Sequence, residues 1–285
     1  MILSLSLTFL QTTAARYRRR NDLLDTIRLV FDCATSMDYC ILSSGTSGLV
    51  YGGVRLNELA LFAGAGGGLL GSQLLSWRTV CAVEINTYAR SILCQRQNDG
   101  IFEPFPIWDD ICTFDGVTWR GVVDVVSGGF PCQAFSSAAR GRNVADNLWP
   151  EMLRVIGEVS PRYVIAENVS EDAIIQAQAD LADCGYKTCR VAVSARDIGA
   201  DHIRKRWWMV ADSNNKGELG GSIDAEVAKL KERCEMLWKS DPRDSRVAHG
   251  VANRVDRLKA IGNGQVSQAM ALAWNILTGE DEWTE

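Results

Sequence analysis

The sequence predicts an α/β protein built on a doubly wound, mostly parallel sheet. Three observations carry that expectation. Short apolar runs alternate along the chain with longer stretches of helical spacing, the order that makes strand–helix–strand crossovers. The first run, Leu59–Phe62, opens into a glycine-rich turn at 63–68 that leads into a helical stretch. A later run, Val122–Val126, opens into Gly128-Gly129-Phe130-Pro131-Cys132. Open α/β sheets carry their chemistry beyond the carboxyl ends of strands, so both turns are candidate sites.

The elements follow in order. Residues 59–62 read as a short buried strand and 69–77 as a helix. A second strand at 79–83 ends at Glu84, and 86–98 is a helix. A proline-punctuated loop leads to Trp108-Asp109-Asp110-Ile111. The strand at 122–126 precedes a loop opened by two glycines and stiffened by a proline, which presents Cys132. Helical spacing at 148–159 is followed by a strand at 163–166 ending in Glu167-Asn168, then by a helix at 174–184 with Gly185 as its stop signal. Residues 190–193 and 207–211 are strand-like. From Asp212 to about Asp256 the pattern turns polar and weakly periodic, the mark of an insertion, and 258–277 returns to apolar helical spacing.

Composition bounds the function. The chain has 285 residues, 47% of them hydrophobic, enough for one sizeable core and a small accessory region. A net charge of −5 argues mildly against a general nucleic-acid binder but leaves room for a local basic cleft. The nine cysteines form no CxxC pair and there are only two histidines, so neither a zinc site nor a disulfide framework is expected. Residues 1–10 are apolar, but the basic cluster at 16–20 follows them instead of preceding them, and the stretch is too short to span a bilayer. A reducing, cytoplasmic setting without a membrane partner is expected.

Three constellations carry chemistry. The glycine turn lets a ligand approach the backbone, and Glu84, at the end of the next strand, is placed to accept hydrogen bonds from ribose hydroxyls. That pair fits a nicotinamide cofactor as well as S-adenosylmethionine. Cys132, just beyond a strand end, is a candidate nucleophile. Glu167-Asn168-Val169 ends the next strand, and the alternate cations Arg204 and Arg206 stand just before the strand-like run at 207–211.

GGFPCQAFS at 128–136, FAGAGG at 62–67, ENV at 167–169, RxR at 204–206 and GNGQV at 262–266 closely resemble the motifs of the DNA (cytosine-5) methyltransferase family of bacterial and phage type. They stand in the usual order over about 56–277. The resemblance implies a Rossmann-like, S-adenosylmethionine-dependent methyltransferase fold with a small target-recognition region. Residues 54–211 would be the catalytic and cofactor-binding domain, 212–257 the recognition region, and 258–285 a return to the catalytic domain, after an extension of unknown role at 1–53. It implies that Cys132 adds to carbon 6 of a flipped cytosine and that Glu167 hydrogen-bonds nitrogen 3 and the exocyclic amine. Arg204 would contact the base carbonyl and Arg206 would brace the loop or a phosphate.

Around S-adenosylmethionine, the resemblance places Phe62 on the adenine, with Gly64, Gly66 and Gly67 lining the methionine part. Glu84 would hold the ribose and Asp110 the adenine amino group, with Ile85, Ile111 and Pro131 beside them and Asn263 and Gly264 at the methionine end. Gln133, Ser136, Arg140 and Asn168 would bind the substrate. His202 departs from the family, where glutamine is more usual. Double-stranded DNA is the implied partner of a monomer, compatible with a cognate restriction nuclease that need not bind it. A tRNA-directed member of the family and a catalytically inactive DNA-binding homologue are the alternatives.

Overall fold

A computed structural model describes residues 55–131, 147–200, 202–214 and 254–279. Seven strands form one sheet: β1 (Asn57–Leu61), β2 (Arg78–Val83), β3 (Ile107–Trp108), β4 (Val125–Gly129), β5 (Tyr163–Asn168), β6 (Lys187–Ser194) and β7 (Lys205–Asp212). The described helices are α1 (Gly67–Leu74), α2 (Thr87–Asn98), α3 (Trp149–Val159), α4 (Glu171–Asp183), α5 (Arg254–Asn263) and α6 (Ser267–Thr278). The strand order is β3-β2-β1-β4-β5-β7-β6. Pairing is parallel from β3 to β5, and β7 runs antiparallel to both neighbours. The order reverses between β1 and β4, so their carboxyl ends open a crevice at the centre of the sheet edge.

Strand periodicity explains the layers. On one face Val125, Tyr163, Ile165, Trp208, Val210, Val191 and Val193 meet α6, whose residues Ala269–Leu277 are all buried. Trp274 of α6 is the hub, with its ring edge-on to Trp77 at 4.6 Å and to Tyr163 at 5.0 Å. The alternate residues Val126, Val164, Ala166, Met209 and Ala211 are also buried, so the opposite face is covered too. Around β1 and β2, Leu69 of α1 and Leu93 of α2 join Ala60, Ala82, Phe102 and Phe105.

Two expectations are corrected. The strand leading to Cys132 starts at Val125 and includes Gly128 and Gly129, which therefore lie in the sheet and not in a loop. The apolar stretch 258–277 is two helices, α5 and α6, parted at 264–266. β7 reaches its place between β5 and β6 by a return after β6. There the turn at Ala195–Ile198 carries a Ser194/Asp197 capping box, and Gly199 ends it with φ 90°. No described helix is long and apolar enough to cross a membrane.

Candidate active site

The glycine turn after β1 is built from left-handed backbone. Phe62, Gly64 and Gly66 have φ of 53°, 55° and 89°. Glycine adopts this freely, but a phenylalanine there is held against its preference, a feature that clusters at ligand sites. The carboxylate of Glu84 fastens the turn, with Oε2 accepting from the Gly64 amide at 2.7 Å and Oε1 from the Asn86 amide at 2.7 Å. Asn86 in turn caps α2 through the Ala89 amide. Ile85 beside it is 69% exposed, whereas Ile111 is only 4% exposed. Of the two isoleucines expected in the cofactor pocket, only Ile85 offers a free apolar surface. Asp110, half-buried, caps its own short turn through the Cys112 amide.

The exit of β4 is held at three points. The Phe130 ring is buried against Trp149, with centroids 5.0 Å apart. The Phe130 carbonyl accepts from Asn168 Nδ2 at 2.9 Å, and the Pro131 carbonyl accepts from the Leu148 amide at 3.3 Å. Asn168 Oδ1 also accepts from the Ser170 amide. Asn168, expected to bind substrate, thus has its buried amide engaged on the main chain, bracing the strand exit. Cys132, Gln133, Ser136 and Arg140 lie outside the described residues, as does most of the 212–257 segment.

Glu167 stands beside Gly129 in the parallel register of β4 and β5. It continues the face of Tyr163 and Ile165 and is 8% exposed. Arg206 Nε lies 3.0 Å from its Oε1. Burial raises the Glu167 carboxyl above the ordinary range, while Arg206 first, then the hydrogen bond from Gln265 and the charge of Arg204, pull it back. Arg206 pairs with the carboxylate, and Arg204 donates through Nη2 to the carbonyls of Gly262 at 2.8 Å and Gly264 at 2.6 Å. Asn263, between those two glycines, is exposed. Trp208 is a core residue, as its apolar setting predicts, and Trp207 is partly exposed beneath the Lys205 ammonium.

Sequence reasoning assigned no role to Gln265, although it read the motif that contains it. Its Nε2 donates to Glu167 Oε2 at 3.5 Å. It also missed Glu58, a fully buried carboxylate whose partners lie on three different elements.

The switch-point crevice, the glycine turn with its acidic clasp and the buried Glu–Arg pair gather at the carboxyl edge of a Rossmann-like sheet. The match to the C-5 cytosine-specific DNA methylase family model spans residues 56–263, and the chain belongs to that family, whose members use S-adenosylmethionine. Among curated relatives, the type II methyltransferase M.Eco47II of Escherichia coli is 38% identical over 76% of this chain and 61% of its own length. M.PspPI of a Psychrobacter strain is 40% identical over 38% of this chain and 26% of its own. The chain therefore spans less than two thirds of the length of these relatives. Among solved structures, the S. pombe Dnmt2 methyltransferase matches with TM-score 0.49 and 23% identity, over 67% of this chain and 57% of that one.

Proposed function

We propose that the chain transfers a methyl group from S-adenosylmethionine to carbon 5 of a cytosine flipped out of double-stranded DNA. The observation that carries this reading is the buried Glu167–Arg206 pair, set beside the strand whose pinned exit leads directly into Cys132.

Carbon 5 of cytosine is a poor nucleophile. The Cys132 thiolate adds to carbon 6, which makes carbon 5 electron-rich, and the cysteine is eliminated after carbon 5 loses its proton. Protonated Glu167 donates to ring nitrogen 3 and accepts from the exocyclic amine, which selects cytosine and stabilises the charge that develops on addition. Its raised affinity for a proton suits that donor role. Arg206 holds the carboxyl from one side and offers its remaining N–H groups toward the base carbonyl. Arg204 keeps the loop between α5 and α6 in place.

The residues of the glycine turn fit the cofactor. Each Glu84 oxygen keeps a second lone pair for a ribose hydroxyl, and Ile85 offers an apolar surface beside it. Phe62, Gly64, Gly66, Asp110 and Gly264 complete the set. Bound S-adenosylmethionine supplies an electrophilic methyl group on a sulfonium centre. We assign DNA contacts to the loop containing Gln133, Ser136 and Arg140, and target recognition to residues 212–257, which carry several lysines and arginines for phosphate contact.

The test is transfer of tritiated methyl from S-adenosylmethionine to unmethylated duplex DNA, with nucleoside analysis and bisulfite mapping. Label in 5-methylcytosine at a recurrent site is expected, and Cys132→Ala is expected to lose transfer while keeping cofactor binding. Transfer by Cys132→Ala would overturn the mechanism, and label only in tRNA would overturn the substrate.

A further inference from the structure

We propose that Gln265 is a positioning residue for this reaction, holding the Glu167 carboxyl and tying it to the glycine turn. The inference rests on the function proposed above and adds to it a residue with no assigned role.

Gln265 fills a crevice walled by three glycines and one carboxylate. A Cβ on Gly67 would collide with the Gln265 carbonyl oxygen, and one on Gly68 with its Oε1. A Cβ on Gly129 would stand 2.9 Å from Nε2 and 2.6 Å from Glu167 Oε2. The main chain of Gln265 therefore rests on the start of α1 while its carboxamide reaches the ends of β4 and β5. At Gly67 a Cβ would meet main chain, so only glycine leaves room there, while at Gly68 and Gly129 a Cβ would push aside the side-chain ends of Gln265 and Glu167.

The segment carrying Gln265 is clasped on both sides. Arg204, just before β7, holds the carbonyls of Gly262 and Gly264, and Ser267 Oγ donates to the Gly67 carbonyl at 2.8 Å. The groups that face Glu167 are Arg206 of β7, Arg204 just before it and Gln265 from the α5–α6 loop, while Gly129 of β4 presents no side chain. Arg206 takes Oε1 and Gln265 takes Oε2, so each oxygen has its own donor. An amide orients the second oxygen without adding charge, and the same residue touches the turn expected to receive the cofactor.

Gln265→Leu keeps the volume and removes the donor. Three measurements on the full chain decide the matter: kcat on duplex DNA, equilibrium binding of S-adenosylmethionine without DNA, and a carboxyl NMR titration of Glu167 assigned with Glu167→Gln. Loss of one hydrogen bond should lower kcat about three- to tenfold. Cofactor affinity and melting temperature should hold, and the Glu167 titration should move to higher pH. An unchanged titration overturns the inference, as does a kcat loss matched by equal losses of affinity and melting temperature. Should Gln265→Leu fail to fold, Gln265→Met carries the same test with a straighter stem. Wild-type protein inert on DNA would sink the proposed function, yet the titration would still decide whether Gln265 holds Glu167.

Discussion

Two carboxylates are buried on the same face of the sheet, and their partners set them apart. Glu58 near the start of β1 is 0% exposed, and Glu167 at the end of β5 is 8% exposed. Burial raises the carboxyl of each. Glu58 is ringed by hydroxyls, with Ser72 at 2.7 Å, Ser127 at 2.5 Å and Thr79 at 2.7 Å. A hydroxyl can turn to donate or accept, so this ring serves the ionised and the protonated acid alike. Glu58 is thus a cross-brace from β1 to α1, β2 and β4. Glu167 has a cation that favours its charge and a burial that opposes it, and it lies where the strands open. Burial alone therefore does not separate a brace from the acid proposed for the reaction; the nature of the partners and the position along the strand do.

The contrast can be broken or sharpened by experiment. The largest effect is expected from Glu167→Gln, which should slow methyl transfer about 10²- to 10⁴-fold while leaving the melting temperature in place. Stopped-quench transfer alongside calorimetry checks both halves. Glu58→Ala should do the reverse. It leaves a cavity and three hydroxyls to re-pair, at a cost of about 3 kcal/mol in urea unfolding, with kcat per folded molecule retained. An equal loss of kcat would erase the distinction between brace and acid.

A third effect is in pH dependence. The folded state keeps its proton on Glu58 to higher pH than the unfolded chain does. That stabilisation is complete below the ordinary carboxylate range and is lost as pH rises through the folded value. Glu58→Gln should flatten this fall in melting temperature, and Glu167→Gln should remove the separate share contributed by Glu167. Identical slopes in wild type and both variants would contradict the raised carboxyls.

Gly129→Ala should lower kcat about tenfold at small cost in stability, because the new methyl meets side-chain ends that can move aside but not without displacing Glu167. The smallest effect belongs to Ile85→Ser. Losing its exposed apolar contact should weaken S-adenosylmethionine binding about threefold in equilibrium titration and leave the fold untouched.

Much of this site was legible in the chain itself. The turn after β1, the acid ending β2 and the Glu-Asn pair ending β5 were read at their right places, because strand period and glycine clusters are short-range signals. Other readings failed for identifiable reasons. Gly128 and Gly129 read as loop because glycine usually punctuates, yet both pair with β5, where a side chain at 129 would crowd the Glu167 carboxylate. The break at 264–266 was hidden in the strand and helix reading by apolar periodicity on both sides of it. Glu58 gave no signal, since a lone acid before an apolar run reads as a solvated strand edge.

The sequence alone determined the fold class, the order of the motifs and the family, because these depend on neighbours a few residues apart and on fixed spacings. Tertiary structure decided which arginine meets Glu167, why Asn168 serves the strand exit, and that a glutamine 98 residues away reaches the same carboxyl. Those choices follow from sheet register and from β7 entering antiparallel between β5 and β6. A one-residue slip there would turn Arg206 to the other face, and no local pattern records that register.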